Sequence, residues 1–290
     1  MNNRSKSVVI NTNSVIHGLQ TAKKAYDNKV FIHSLSGRPL RIMAEYLEPE
    51  QRLAEGNIDK AIIFFGSARA MPKDNYEDRI SNIKSRLEAV PEKEKPALEE
   101  ELRKIENTKF TTDYYEDTLN LAKMIGTWSL SLPPEDQFFI CTGGGPGLME
   151  AANRGAYLAG TRSLGFNISL PFEQAPNPYI SPELNFEFHY FFMRKLWFAH
   201  LAEALVVCPG GFGTMDEMWE LLTLIQTGKH SDKIPVVLYN SKFWKTLINF
   251  DFLVECGMIS ESDLDLFTFA DTPEEAFEYL KTNLSAIHHL

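Results

Sequence analysis

Leu205 to Glu217 reads L-V-V-C-P-G-G-F-G-T-M-D-E, and few folds can accommodate such a stretch. Leu205 to Cys208 is short, apolar and β-prone, as expected of a central strand covered on both faces of a parallel sheet. Gly210, Gly211 and Gly213 then allow a tight turn with no Cβ in the way. Their N–H groups can converge on an anion at the start of the following helix, which the pattern carries from Asp216 to Gln226. Strand, glycine turn and helix start together predict a phosphate site, with Thr214 offering a hydroxyl. Glu217 lies one turn in, facing the same crevice. Two readings of it stand: a carboxylate complementing the helix dipole, worth about 0.3–1 kcal/mol, or a general base acting on a phosphorylated substrate.

Two further turns have related chemistry. Lys60 to Phe65 predicts the first strand of the sheet, followed by Gly66, Ser67, Ala68 and Arg69. Ligands of open α/β sheets bind beyond the carboxyl ends of the strands, so Ser67 suits a ligand oxygen and Arg69 an anion; a turn serine and a solvated arginine fit these residues equally well. Phe138 to Cys141 predicts another strand, followed by T-G-G-G-P-G-L-M-E (142–150). Gly143, Gly144 and Gly145 permit close backbone approach to a ribose or phosphate. A dinucleotide fingerprint counted from Gly143 requires glycine or alanine where Leu148 stands, so a nicotinamide-binding loop is disfavoured.

The rest of the chain alternates strand and helix signals. Thr161 to Ile168, Pro235 to Tyr239 and Phe267 to Phe269 read as strands, and Val8 to Ile10 as a short one. Helical patterns cover Pro39 to Leu53, Tyr114 to Ser131, Ala151 to Ala159, Leu196 to Ala204, Phe243 to Cys256 and the acid-led segment from Asp271 to Leu284. The aromatic residues of Phe186 to Phe192 fit no single period, and the adjacent cations Arg194 and Lys195 suggest anion binding. A proline-rich loop from Leu170 to Pro182, with Phe172, Glu173 and Gln174, can wall a site or simply connect. Between Tyr76 and Lys109 the chain turns charge-rich and keeps helical spacing on either side of Pro91 and Pro96. The expected architecture is α/β: a doubly wound, mostly parallel sheet over 58–290, an N-terminal helical extension over 1–57 packed on it, and a helical hairpin inserted at 76–109.

A formal net charge of −10 argues against non-specific nucleic-acid binding and against an anionic membrane surface. No apolar run reaches the length of a membrane span. Cys141, Cys208 and Cys256 form neither a disulfide framework nor a zinc pattern, which points to a cytoplasmic setting. His189, His200 and His230 match no metal-ligand spacing, and no metal is expected.

The segments G-G-G-P-G-L-M-E-A-A-N-R-G-A (143–156), F-F-M-R-K (191–195) and P-G-G-F-G-T-M-D-E (209–217) resemble the LOG family. These are the cytokinin riboside 5′-monophosphate phosphoribohydrolases, many of them once labelled possible lysine decarboxylases. The resemblance covers roughly 60–239, and the added segments make the chain look like the longer bacterial relatives. It implies a modified Rossmann fold, a homodimer or higher oligomer with its site at the interface, and no cofactor. The implied reaction is hydrolysis of the N-glycosidic bond of an AMP-like nucleoside 5′-monophosphate to free base and ribose 5-phosphate. Arg194 and Glu217 match the family's catalytic pair, Pro209, Gly210, Gly211, Gly213 and Thr214 its phosphate loop, and Ser67 its residue after the first strand. Glu150 stands where short members often have a small residue, at a ribose contact.

The decarboxylase label fits less well, because Lys195 is the lysine within these motifs and nothing marks it as a Schiff-base residue. A nucleotide sensor or carrier that binds without cleaving remains the alternative. The preferred base is not legible.

Overall fold

A computed structural model describes residues 22–171, 175–229 and 234–290. The expected strand Val8 to Ile10, His230, and Phe172, Glu173 and Gln174 of the proline-rich loop lie outside the described residues. Seven strands form one sheet: β1 (Ala61–Phe65), β2 (Phe139–Thr142), β3 (Ser163–Ile168), β4 (Asn185–Phe188), β5 (Ala202–Val207), β6 (Val236–Tyr239) and β7 (Thr268–Ala270). Their order is β4-β3-β2-β1-β5-β6-β7, and every pairing is parallel. From β1 the chain steps outward through β2, β3 and β4, then returns to the other side of β1 and steps outward again from β5. The reversal lies between β1 and β5, and crevices that accept ligands open at such points.

Every residue of β1, β2 and β6 is buried, as expected for strands covered by helices on both faces. In the described residues the helices are α1 (Lys29–Ile32), α2 (Arg38–Gly56), α3 (Lys73–Ala89), α4 (Lys95–Glu106), α5 (Thr111–Ser129), α6 (Leu148–Ala159), α7 (Phe191–Leu201), α8 (Phe212–Gln226), α9 (Ser241–Leu247), α10 (Phe250–Glu255) and α11 (Pro273–His288). The chain groups into two compact units, one ending at Ala44 and one running from Glu45 to Leu290.

Helices α3 and α4 pack together as a hairpin. Tyr76, Ile83 and Ile105 are its buried centre, with Ile80, Leu87 and Leu102 packed around them. Helices α5 and α6 approach backbone to backbone. A Cβ on Gly155 would stand 2.3 Å from the Leu119 carbonyl oxygen, and one on Gly126 would stand 2.9 Å from Ala159 Cβ.

Three elements depart from the sequence reading. Asn185–Phe188 is an edge strand, with Phe186 and Phe188 buried and Asn185 and Glu187 exposed. Helix α7 starts at Phe191 rather than Leu196 and ends at Leu201, because Ala202 already pairs with Ala61 of β1. The segment from Phe243 to Cys256 is two helices rather than one. Asn249 breaks it, its side chain accepting from Phe252 N as the N-cap of α10.

Candidate active site

A cavity of about 620 Å³ opens at the β1/β5 reversal. One wall is the turn after β1, with Gly66, Ser67 and Arg69, and another is the turn and first helical residues after β5, Gly210 to Thr214. Gly143, Arg194 and Glu217 complete its polar lining, while Met149, Phe243 and Leu247 give it an apolar side. Phe212, 90% exposed, lines the cavity at the first position of α8.

Glu217 is the deepest charge. Its side chain is 5% exposed and Arg194's 13%, and Arg194 Nη2 donates to Glu217 Oε1 at 3.1 Å. Burial raises the Glu217 pKa above the usual carboxylate value, and the cations of Arg194 and Lys195 offset only part of that rise. Burial likewise lowers the pKa of Arg194, against the pull of Glu217. The guanidinium carbon lies 5.3 Å from the Phe191 ring centre and 5.7 Å from that of Phe198, which leaves Arg194 little freedom to swing away. Lys195 Nζ contacts three carboxylates: Glu220 at 2.8 Å, Asp216 at 2.9 Å and Glu217 Oε2 at 3.4 Å. Burial opposes its charge, but the hydrogen bonds it donates to Glu220 and Asp216 win and its pKa is raised. A Schiff-base lysine needs the opposite shift.

Helix α7 is placed from far away in sequence. It has no side-chain cap of its own. Instead the Glu45 carboxylate accepts from the backbone N–H groups of His189 (3.0 Å) and Tyr190 (3.2 Å), and Trp197 Nε1 donates to the Glu45 carbonyl at 3.0 Å. A carboxylate here also suits the positive end of the helix dipole.

The three turns are laced together through their backbones. Ser67 N donates to Pro209 O, and Leu148 N donates to Ser67 O, both at 3.0 Å. Gly147, at φ +77°, leaves room for the Ser67 carbonyl, which would be 2.2 Å from a Cβ there. A Cβ on Gly66 would meet Leu148 Cβ at 2.8 Å, so the close contact of strand end and helix start is kept by a glycine on the strand side. On Gly210 a Cβ would meet Thr214 Oγ1 at 2.1 Å; the hydroxyl lies over that glycine.

Residues 149–280 match the model of the family described as "Possible lysine decarboxylase". A probable cytokinin riboside 5′-monophosphate phosphoribohydrolase of Oryza sativa subsp. japonica, LOGL3, is 28% identical over 182 residues, 59% of this chain and 77% of that protein. The cytokinin riboside 5′-monophosphate phosphoribohydrolase LOG3 of Arabidopsis thaliana is 37% identical over 90 residues, 30% of this chain and 41% of its own length. Over these segments the chain is similar to the LOG family. Among solved structures, that of TM1055 is 18% identical, covers 77% of this chain and 99% of its own, and superposes with a TM-score of 0.46.

Against the LOG pattern, Ser67, Gly143 and Arg194 line the cavity, as do Gly210, Gly211, Gly213, Thr214 and Glu217. Pro209 lies behind it, its carbonyl taken by Ser67 N. Gly144 and Gly145 turn their carbonyls to Asn177 Nδ2, each at 3.1 Å. Glu150 lines a neighbouring cavity and accepts from Tyr115 OH at 2.9 Å. Lys195 supports Glu217 and does not line the main cavity.

Sequence reasoning passed over Asn153 and Asn177. Both are buried, and Asn153 Oδ1 accepts from Thr142 Oγ1 (2.7 Å) and Asn177 Nδ2 (2.9 Å), tying the second glycine turn to α6. It also passed over Phe243 and Leu247, which reach the site only through the path of α9. Among the described residues no group of His, Cys, Asp or Glu could hold a metal ion, and no helix is long and apolar enough to cross a membrane.

Proposed function

We propose that this protein hydrolyses the N-glycosidic bond of a nucleoside 5′-monophosphate, releasing free base and ribose 5-phosphate. The observation that carries the reading is a buried carboxylate, Glu217, held by Arg194 in the same cavity as the Gly210–Thr214 turn. The turn and the start of α8 suit the 5′-phosphate, since backbone N–H groups and the helix dipole both favour an anion. Breaking the bond from C1′ to the base nitrogen builds oxocarbenium-like charge on the ribose, which a nearby carboxylate stabilises. The Glu217 carboxylate then takes a proton from water as the water oxygen bonds to C1′. The base leaves with the electron pair of the broken bond and is protonated by solvent. A carboxylate whose pKa is raised by burial is a stronger base than a solvated one. Met149, Phe243 and Leu247 offer an apolar surface for a base.

The names of the LOG relatives agree with this chemistry, and a cytokinin-type base is one candidate beside adenine. Chromatography of base release from a panel of nucleoside 5′-monophosphates, with the matching nucleosides as controls, tests the reading. Release confined to monophosphates and reduced about 10²–10⁴-fold in Glu217→Gln is the expected result. Binding of the monophosphates with no release from any of them would replace it with a nucleotide carrier or sensor.

A further inference from the structure

A second cavity, of about 460 Å³, lies between the α3–α4 hairpin, the turn after β1 and the glycine turn after β2. It shares Ala68 and Arg69 with the main cavity, so the turn after β1 is a common wall. Three cations line it, Arg69 from that turn, Arg79 from α3 and Lys104 from α4, against one carboxylate, Glu150. Glu150 is already engaged by Tyr115 OH. Of the three cations only Lys104 has a carboxylate within ion-pair distance among the described residues, Glu100 at 3.5 Å. Excess positive charge gathered in one concave place is unexpected in a chain of net charge −10. The two hairpin helices are held at that spot by their own core of Tyr76, Ile83 and Ile105.

We propose that this pocket is a second phosphoryl-binding site, separate from the Gly210–Thr214 turn. Arg79 and Lys104 reach it from different helices and Arg69 from the turn after β1, an arrangement that suits an oxyanion with several acceptor oxygens. The volume falls in the range of small-molecule sites, roughly 300–1,000 Å³. This inference rests on the hairpin's placement and is independent of the hydrolytic reading. The phosphoryl group can come from a separate small molecule bound beside the substrate, or from a polyphosphate chain spanning both cavities over Arg69.

Isothermal titration of the full chain with inorganic pyrophosphate at low ionic strength tests the site. Arg79→Ala/Lys104→Ala is compared with wild type and with Lys84→Ala/Lys93→Ala, which removes as much positive charge from the same hairpin outside the pocket. The expected result is a pyrophosphate site weakened about 10- to 100-fold in the first variant only. Equal isotherms for all three proteins, or equal weakening in both variants, would overturn the proposal. Adenosine 5′-monophosphate and 5′-triphosphate distinguish the two sources. A separate ligand requires pyrophosphate to bind in the presence of the monophosphate. A spanning one requires the triphosphate, and not the monophosphate, to lose affinity in Arg79→Ala/Lys104→Ala. A melting curve for each variant checks the fold, which exposed substitutions should shift little.

Discussion

Lys195 Nζ stands 3.4 Å from Glu217 Oε2, while the preceding residue, Arg194, holds Oε1 at 3.1 Å. Consecutive positions on a helix point about 100° apart, yet both side chains converge on one buried carboxylate. Lys195 manages this by lying along the first turns of α8, where Asp216 and Glu220 also take its charge. Glu217 is therefore held in an ionic frame that spans two helices.

Lys195→Met removes the cation nearest Oε2 and leaves Asp216 and Glu220 to repel Glu217. Its pKa should rise further, and the acid limb of the pH–activity profile should move to higher pH. Activity well above that limb should fall less. An acid limb that stays in place would show that Lys195 does not tune this carboxylate.

Glu217 also sets a pH dependence of stability. Its folded pKa lies above the ordinary value of 4.5. Its contribution is fully present below the unfolded pKa and is lost as pH rises through the folded one. Glu217→Gln never ionises, so its melting temperature should gain on wild type as pH rises above the ordinary carboxylate range. A gap that narrows with that rise would mean that Arg194 and Lys195 outweigh the cost of burial.

Gly66→Ala should be destabilising although the change is a single methyl group, because the new Cβ would stand 2.8 Å from Leu148 Cβ. Overpacking of this kind costs about 1–3 kcal/mol. In denaturant titrations the loss should be smaller in a Leu148→Ala background, which keeps the Leu148 Cβ but removes Cδ1, 2.9 Å from the new Cβ. Strictly additive effects would put the strain elsewhere.

Glu45→Ala removes the cap of α7 and should cost about 0.5–2 kcal/mol. Turnover should fall as well, since the N-terminal half of that helix carries Arg194. Glu45→Gln keeps a carbonyl acceptor and should restore most of the stability. Equal losses in the two variants would point to the charge, acting on the helix dipole, as the main effect.

The centre of the sheet was legible because β1, β2 and β6 are continuous apolar runs, each leading to a turn. At the edge, β4 alternates N-F-E-F and has a partner on one side only, so its apolar content is halved. The boundary between α7 and β5 was hidden because no loop separates Leu201 from Ala202; strand pairing with β1, a long-range contact, decides where the helix stops. Around the site, Arg194, Glu217 and the glycines of the β5 turn were visible as local motifs. Glu45 was not, since it acts on residues 144 and 145 positions away. The second cavity joins Arg69, Arg79, Lys104 and Glu150, and only the folded hairpin brings them together.

The lacing of the turns bears on motion. Ser67 gives its amide to Pro209 and its carbonyl to Leu148, so the ends of β1 and β5 and the start of α6 are linked by main-chain bonds. Loops around active sites commonly open by themselves on fast timescales. Here the amides of Ser67 and Leu148 can exchange their hydrogens only when the middle of the sheet parts, so protection of the site's floor should approach that of the core. Mobility is then left to the rim, where Phe212 and Arg69 are exposed, and a ligand would order side chains there while the backbone beneath stays as it was.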